Sequence, residues 1–364
     1  MKFFIDATAI TRFNKLISRI DDKKKSFSLH FLANQEKTTL FLESYDWAIA
    51  MPVSCRRPPK SFMVPYNAVN NVPANTTGKI AFTWDETTGY GTISGNFESK
   101  FPKTHQFQFE TGDHSLPPVP KRFKQQNTKF LNALKLCTRF SGRQGQHYIL
   151  SNIRIFKNGT IAAMDGRQAV FQAVPNYLPP GQRDLLVRAC SLYGYHELRK
   201  ETVELGVKSG WTVFRFGDLL FWTKPDIERF PKLENTRPRT RKFRVSMRFS
   251  SEDIAFLIKN LNSIDPDATV EIYRYDTQNT VTVQVGEMAM AITPRLFKRD
   301  EFIAKTSCKR FLTALKLGCT EFRFGNVPGY ATGVNREYVW LPLDYTFSPL
   351  ESEKPLPPTT TISP

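Results

Sequence analysis

Apolar residues recur along the chain in two alternating periods. A short strand-like stretch leads into a segment with helical spacing, and stretches that alternate apolar and polar residues come after it. The strand-like stretches begin as KFFIDA at 2, KSFMVPY at 60, KRFKQQN at 121, DLLVRAC at 184, KFRVSMRF at 242 and DEFIAKT at 300. Between the helical segments, SFSLHFL, TLFLES, TVEIYRY, TVTVQVG and AMAITPR have period two, the pattern of half-buried antiparallel strands. Asn158-Gly159 is a hairpin-turn signal. The chain therefore reads as six repeats of ~60 residues, each a strand, a helix and several further strands. One phrase is written nearly twice, KFLNALKLCTRF from 129 and RFLTALKLGCTEF from 310, in repeats three and six.

Helix starts are expected after the capping candidates Thr8, Thr128, Ser191, Ser250 and Thr306. Repeat two is the weak one, because YNAVNNV is cut by Pro73. In the first helix Ile10, Phe13, Leu16, Ile17 and Ile20 form an apolar face, and Arg12, Lys15 and Arg19 lie opposite. In repeat three Phe130, Leu131, Leu134 and Cys137 face the core, while Lys129, Asn132, Lys135 and Arg139 face out. In repeat six Phe311, Leu312 and Leu315 are core, with Lys309, Arg310, Thr313 and Lys316 outside. The repeat-four segment SLYGYHELRKE, read as a helix, offers His196, Arg199 and Lys200. Repeat five offers Lys259 and carries Glu252 and Asp253 in its first turn, where the helix dipole favours acids. One basic stripe alone is an ordinary solvated face. Several on periodic repeats make one phosphate-facing surface if the repeats close into an arc.

Six repeats predict three domains of two repeats each, 1–120, 121–242 and 243–345. The Pro-rich SLPPVPKRFK and the basic ENTRPRTRKFR mark the two boundaries. Residues 346–364, TFSPLESEKPLPPTTTISP, are Pro-rich and poor in apolar residues, and read as a disordered tail.

Charge changes the picture most. Lys and Arg number 51 against 34 acids, a net charge of +17, which argues for a polyanionic partner, most often nucleic acid. The excess is concentrated, because residues 121–242 carry 23 bases and 9 acids. No stretch reaches the ~18 apolar residues of a membrane helix, and no apolar run of signal-peptide length opens the chain. The five cysteines show no CxxC pair and read as reduced thiols, which points to the cytoplasm. No phosphate-binding loop, metal-ligand spacing or nucleophile motif is present, and Asp165 beside Gly166 reads as a turn residue. No cofactor, metal site or catalytic residue is therefore expected.

At three places the wording resembles the bacterial DNA sliding clamp, the beta subunit of the replicative DNA polymerase. YILSNIRIFKNGTIAAMDGRQAV (148–170) ends in AMDGRQAV, similar to the family's ATDGHRLA; KPDIERFPK (224–232) is similar to FPDYRRVLPK with one residue fewer; YVWLPLDY (338–345) is similar to YVVMPMRL. The opening MKF and the repeated FLxALKL helix also fit, and the resemblance covers about 1–345 in order and spacing. It implies an α+β fold of three topologically similar domains, with antiparallel sheets outside and helices inside a ring of two head-to-tail subunits. Such a ring holds duplex DNA by its phosphates and slides. The strand HQFQFE, with Phe107 and Phe109, is the candidate first-domain edge for that homodimer.

The resemblance also implies a hydrophobic pocket between the middle and last domains for a short motif of DNA polymerase, the clamp loader and repair proteins. Carried over residue by residue, its wall is Leu150, Met164, Gly166, Arg167, Pro231, Val339, Leu341, Pro342 and Leu343. The departures are Arg167-Gln168 for the family's His-Arg, Asp344 for an Arg, the tail, and the strong basicity. Three readings stay open: a processivity clamp, a static DNA-binding or regulatory protein on the same fold, and a nucleic-acid enzyme.

Overall fold

The structure is a computed structural model. It describes residues 1–21, 27–34, 37–56, 58–70, 72–73, 76–95, 104–108, 110–112, 114–142, 148–175, 178, 183–225, 230–239, 242–274, 279–299, 301–325, 328–340, 345–349 and 361–362. All six expected strand starts are strands: Lys2–Asp6, Phe62–Pro65, Lys124–Gln126, Leu185–Arg188, Phe243–Arg248 and Phe302–Ser307. Four lead into α-helices, α1 (Ala7–Ile20), α2 (Thr128–Thr138), α3 (Ser251–Leu261) and α4 (Cys308–Lys316). No helix among the described residues is long and apolar enough to cross a membrane.

Repeats two and four have tight 3-10 turns in place of the expected helices. Repeat two makes one turn at Tyr66–Ala68. Repeat four, expected to be helical over SLYGYHELRKE, makes two turns, Ser191–Gly194 and Leu198–Lys200, separated by an extended Tyr195. The reason is burial. Leu192, Tyr193, Tyr195 and Leu198 are all interior, and at ~100° per residue an α-helix spreads those positions around most of its circumference.

The caps also shift. Ser250 caps α3 as expected, in a reciprocal pair: Asp253 N–H donates to Ser250 Oγ and Ser250 N–H to Asp253 Oδ2, both at 3.0 Å. At α2 the cap is Asn127, whose Oδ1 accepts from Phe130 N–H at 3.0 Å. At α1 and α4 the capping positions are Asp6 and Ser307, without a side-chain bond.

The described residues form two compact units. The first comprises 1–138, 154–159 and 175–227. Its smaller sheet runs Lys2–Asp6, Lys79–Asp85, Tyr90–Ser94, Thr104–Gln108, so the last strand is an edge. Its larger sheet has nine strands in the order Lys124–Gln126, Val203–Lys208, Trp211–Phe216, Leu219–Thr223, Trp47–Val53, Lys37–Glu43, Ser28–Asn34, Phe62–Pro65, Glu110–Thr111. In the middle of that sheet the third strand of repeat four meets the third strand of repeat one. The joint is antiparallel, with Leu220 opposite Ala50 and Thr223 opposite Trp47. The Pro-rich 115–124 stretch lies on this sheet. Leu116, Val119 and Phe123 pack against a cluster holding Phe41, Trp211 and Trp222, and Trp222 Nε1 donates to Pro118 O at 3.3 Å. A buried indole N–H usually finds such an acceptor.

The second unit comprises 139–153, 160–174 and 228–364. It repeats the joint: strands Gln168–Ala173 of repeat three and Arg336–Trp340 of repeat six pair antiparallel, Ala169 opposite Val339. Its other sheet has the order Tyr345–Pro349, Phe302–Ser307, Thr269–Arg274, Val281–Val285, Met288–Ile292, Thr361–Ile362. Residues 346–349, expected in a disordered tail, thus belong to a strand with five partners on Phe302–Ser307. Backbone pairing there needs no apolar side chains, which is why composition misplaces it. Residues 350–360 and 363–364 lie outside the described residues.

Candidate nucleic-acid interface and peptide-binding site

In the first unit, α1 and α2 both pack on the Ser191–Gly194 turn. On α1 the interior side is Ile10, Phe13, Leu16, Ile17 and Ile20, leaving Arg12, Lys15 and Arg19 exposed. Lys129 and Lys135 of α2 and Arg199 and Lys200 of the second turn are exposed as well. Direct contacts knit this set together. Arg12 Nε is 3.3 Å from Glu197 Oε2, and the Arg19 guanidinium stands 5.3 Å over the Tyr195 ring. Ser191 Oγ donates to Arg19 O at 3.1 Å, and Arg199 Nη2 donates to Asn132 Oδ1 of α2 at 2.8 Å. A β-carbon on Gly194 would stand 3.2 Å from the Lys135 chain, so glycine lets that lysine lie flat across the turn.

Lys15, Lys129 and Lys200 are thus exposed on the same elements that bring Arg12, Arg19, Lys135 and Arg199 together beside the acid Glu197, which accepts from Tyr195 Oη at 2.6 Å. That bond, with Arg12 alongside, holds its carboxyl below the ordinary carboxylate value. Burial and the same bond push the Tyr195 hydroxyl up to about 12. A helical pattern over this segment singles out neither Tyr195 nor Glu197. The signal for them is the non-helical spacing of its apolar residues.

In the second unit α3 and α4 pack together. Lys259, Lys309 and Lys316 are exposed, and Lys316 Nζ donates to Asn262 Oδ1 at 2.6 Å. Arg139 of this unit is also exposed. Arg310 is a correction. Expected on the outer face, it is only 7 % exposed, and its side chain hydrogen-bonds Tyr338. The buried face of α4 is Cys308, Arg310, Phe311, Ala314 and Leu315. The small residues Cys308 and Ala314 rotate it one position from the expected Phe311, Leu312, Leu315 stripe, and Leu312 is only half-buried.

The predicted pocket residues in the second unit centre on a hairpin turn. Asp165 Oδ1 accepts the Arg167 and Gln168 N–H groups, each at 2.9 Å, and its Oδ2 accepts Gln168 Nε2 at 2.8 Å. Asp165 is thus a turn residue, as its setting in the sequence indicates. Gly166 has φ +90°, a left-handed conformation that suits glycine, and Leu150 Cδ1 comes within 3.6 Å of where its β-carbon would be. Across the ladder Met164 faces Ala169 and Ala169 faces Val339, which aligns the three on one side of the sheet. Arg167 is exposed, and Leu150 and Pro231 are half-buried. Val339 is 0 % exposed, so it supports this wall from behind. Tyr338 Oη donates to Gln168 Oε1 at 2.7 Å, tying the hairpin to the neighbouring strand. Leu341, Pro342 and Leu343 lie outside the described residues.

The candidate dimer edge, Thr104–Gln108, is an edge strand, but Phe107 is 6 % exposed and packs 6.4 Å from Phe82. It anchors the strand, so the backbone and the exposed Gln106 and Gln108 are what a partner can meet. Phe109 lies outside the described residues.

Six repeats of a strand, a helix or tight 3-10 turns, and three further strands, with sheets joined third strand to third strand, define the α+β fold of the DNA sliding clamps. The solved structures with this fold include Caulobacter crescentus pol III beta, 16 % identical with a TM-score of 0.71, covering 94 % of this chain and 99 % of that one. The DNA polymerase III subunit beta of Pseudomonas aeruginosa is 13 % identical, TM-score 0.68, with the same coverage. The Helicobacter pylori beta clamp bound to a DNA ligase peptide is 15 % identical, TM-score 0.67, again over 94 % and 99 %. No family model and no curated protein sequence matches the chain.

Proposed function

We propose that the protein is a DNA sliding clamp: a non-catalytic processivity factor, built of three domains, that closes as a head-to-tail homodimer around duplex DNA. One observation carries the reading. Both larger sheets contain a joint between third strands of different repeats, repeat four on one in the first unit and repeat six on three in the second. The remaining third strands, Thr104–Gln108 of repeat two and Met288–Ile292 of repeat five, belong to smaller sheets that lack this joint. These are complementary halves, and pairing them between two copies makes the same joint a third time. A contact between different surfaces of identical chains is heterologous, and it closes a ring when the rotation permits.

The exposed cations of α1, α2 and the repeat-four turn, with Lys259, Lys309 and Lys316, supply phosphate contacts that carry no sequence information. The turn at Gly166, with Leu150, Met164, Pro231 and residues 341–343, is the proposed groove for a short hydrophobic motif of DNA polymerase, clamp loader or repair proteins. The H. pylori clamp with its ligase peptide supports that part.

The test is topological. Protein loaded on a nicked circle is washed at about 0.5 M salt, where the Debye length is under about 5 Å, and the circle is then linearised. Retention on circles and release from linear DNA support the clamp. Stripping from both by salt selects the static DNA-binding reading, which the concentration of charge in 121–242, 23 bases against 9 acids, otherwise favours. For the groove, Leu341→Asp abolishes binding of a Gln-Leu-hydrophobic peptide and spares DNA binding; unchanged peptide affinity places the site elsewhere.

A further inference from the structure

The half-sheet that ends at Met288–Ile292 has an occupant. Thr361–Ile362 pairs with it in parallel, Thr361 beside Ala289 and Ile362 beside Met290. This is the edge that the proposed closure needs for the Thr104–Gln108 strand of a second copy. Among the described residues no other repeat pairs its third strand this way. In repeats one and three that strand takes an antiparallel partner, four residue pairs long at Trp47–Val53 and five at Gln168–Ala173.

We propose that the Thr361–Ile362 strand is a built-in competitor of subunit closure, covering the closing edge. The inference rests on the clamp reading above. This strand is not needed to complete the repeat. Each even repeat of the outer pairs sends the chain from its third strand back to its first: Glu110–Thr111 pairs with Phe62–Pro65, and Tyr345–Pro349 with Phe302–Ser307. Repeat six is therefore finished at Pro349, and the residues beyond it are additional.

The two pairings differ in strength in the direction a competitor requires. The covering ladder is parallel and two pairs long, and parallel pairing is slightly weaker per residue. The joints it imitates are antiparallel and four or five pairs long. The covering strand has the advantage of tethering. It is joined to Pro349 by a short segment, so its effective concentration at the edge is about millimolar. A second copy displaces it only when closure is favoured by concentration or by DNA. An uncovered edge is also a template for unwanted pairing, which the covering strand blocks in the single chain.

The experiment compares the full chain with a form ending at Pro349 and with Ile362→Pro, which removes a backbone donor from the covering strand and leaves the length intact. Dimerisation is followed by sedimentation across a dilution series, and amide exchange at Met288–Ile292 is read at the lowest concentration. Both variants are expected to dimerise about tenfold more tightly than the full chain. Their Met288–Ile292 amides are expected to exchange faster when dilute and to regain protection on dimerisation. Equal dimer affinities, or equal exchange in the dilute proteins, overturn the competitor and leave the clamp reading standing. Absence of dimers from all three proteins at every concentration overturns the closure reading, and the competitor with it.

Discussion

Arg188 and Asp46 form an ion pair shut off from solvent, with Arg188 Nη1 donating to Asp46 Oδ2 at 2.7 Å and side chains only 5 % and 8 % exposed. Nη2 of the same guanidinium reaches Asp21 Oδ2 at 3.3 Å, just past the end of α1. The Arg188 backbone is held too, its N–H by Thr223 Oγ1 at 3.0 Å and its carbonyl by Tyr193 Oη at 2.9 Å. One residue thus links repeat four to the end of the first helix and to the start of the Trp47–Val53 strand.

Removing Asp46 leaves the buried Arg188 guanidinium with Asp21 alone, at the longer distance. Asp46→Ala is therefore expected to destabilise the first unit by about 1–3 kcal/mol, less than a fully stranded charge costs. Asp21→Ala, which leaves the shorter bond in place, costs less. Urea unfolding of the two variants measures both, and equal effects disprove the ranking.

On the basic surface, Glu197 is an acid among cations and it engages Arg12. Glu197→Ala removes a charge that repels phosphate and frees the arginine. DNA affinity is expected to rise by a factor of about five, the ~1 kcal/mol of a surface ion contact. Fluorescence anisotropy on a short duplex at fixed salt reads it, and weaker binding removes Glu197 and Arg12 from the interface.

Adjacent residues on α4 separate exposed surface from core. Lys309→Glu is expected to weaken DNA binding and to lower the log–log salt slope by about 0.9, one phosphate contact. Arg310→Ala leaves that slope unchanged but destabilises the protein by about 1–3 kcal/mol, because Tyr338 keeps a buried hydroxyl without that partner. A salt-slope change in the Arg310 variant returns that residue to the DNA-facing set.

His30 gives the pH dependence. Burial, with His114 4.3 Å away ring to ring, lowers its imidazole from the ordinary 6.5 to about 4. The folded protein holds the neutral ring, while the unfolded chain takes up a proton once pH drops below 6.5. This contribution to stability is therefore complete above pH 6.5 and is lost as pH falls toward 4. Urea midpoints at about pH 7.5 and pH 5 are expected to diverge in the parent and to converge in His30→Phe. A slope that survives the substitution assigns it to other groups.

The six repeats are legible because each begins with the same short apolar strand and continues with period-two segments, signals that survive without any relative for comparison. Repeat four misleads because SLYGYHELRKE has helix-compatible residues, while tertiary packing demands four interior side chains that a helix cannot gather. Arg310 misleads because small residues flank it: Cys308 and Ala314 bury as well as leucine does, but carry little weight in an apolar pattern. The joints between third strands cannot be read at all. Nothing in VFQA or EYVW says which distant strand each will meet, because backbone pairing is blind to sequence and only register and burial select the partner.

Those joints also govern how the chain comes to be folded. Gln168 and Tyr338, which bond across one of them, are 170 residues apart in the sequence, and Ala50 waits as long for Leu220. At ribosomal speed that interval is on the order of ten seconds. For that time Trp47–Val53, paired with Lys37–Glu43 on one side, has no strand on its other side. This sheet is completed only after repeat four has been made, because its central joint spans nearly half the chain. A fragment ending at residue 120 would carry that edge permanently, and such an edge is a template for pairing with another copy.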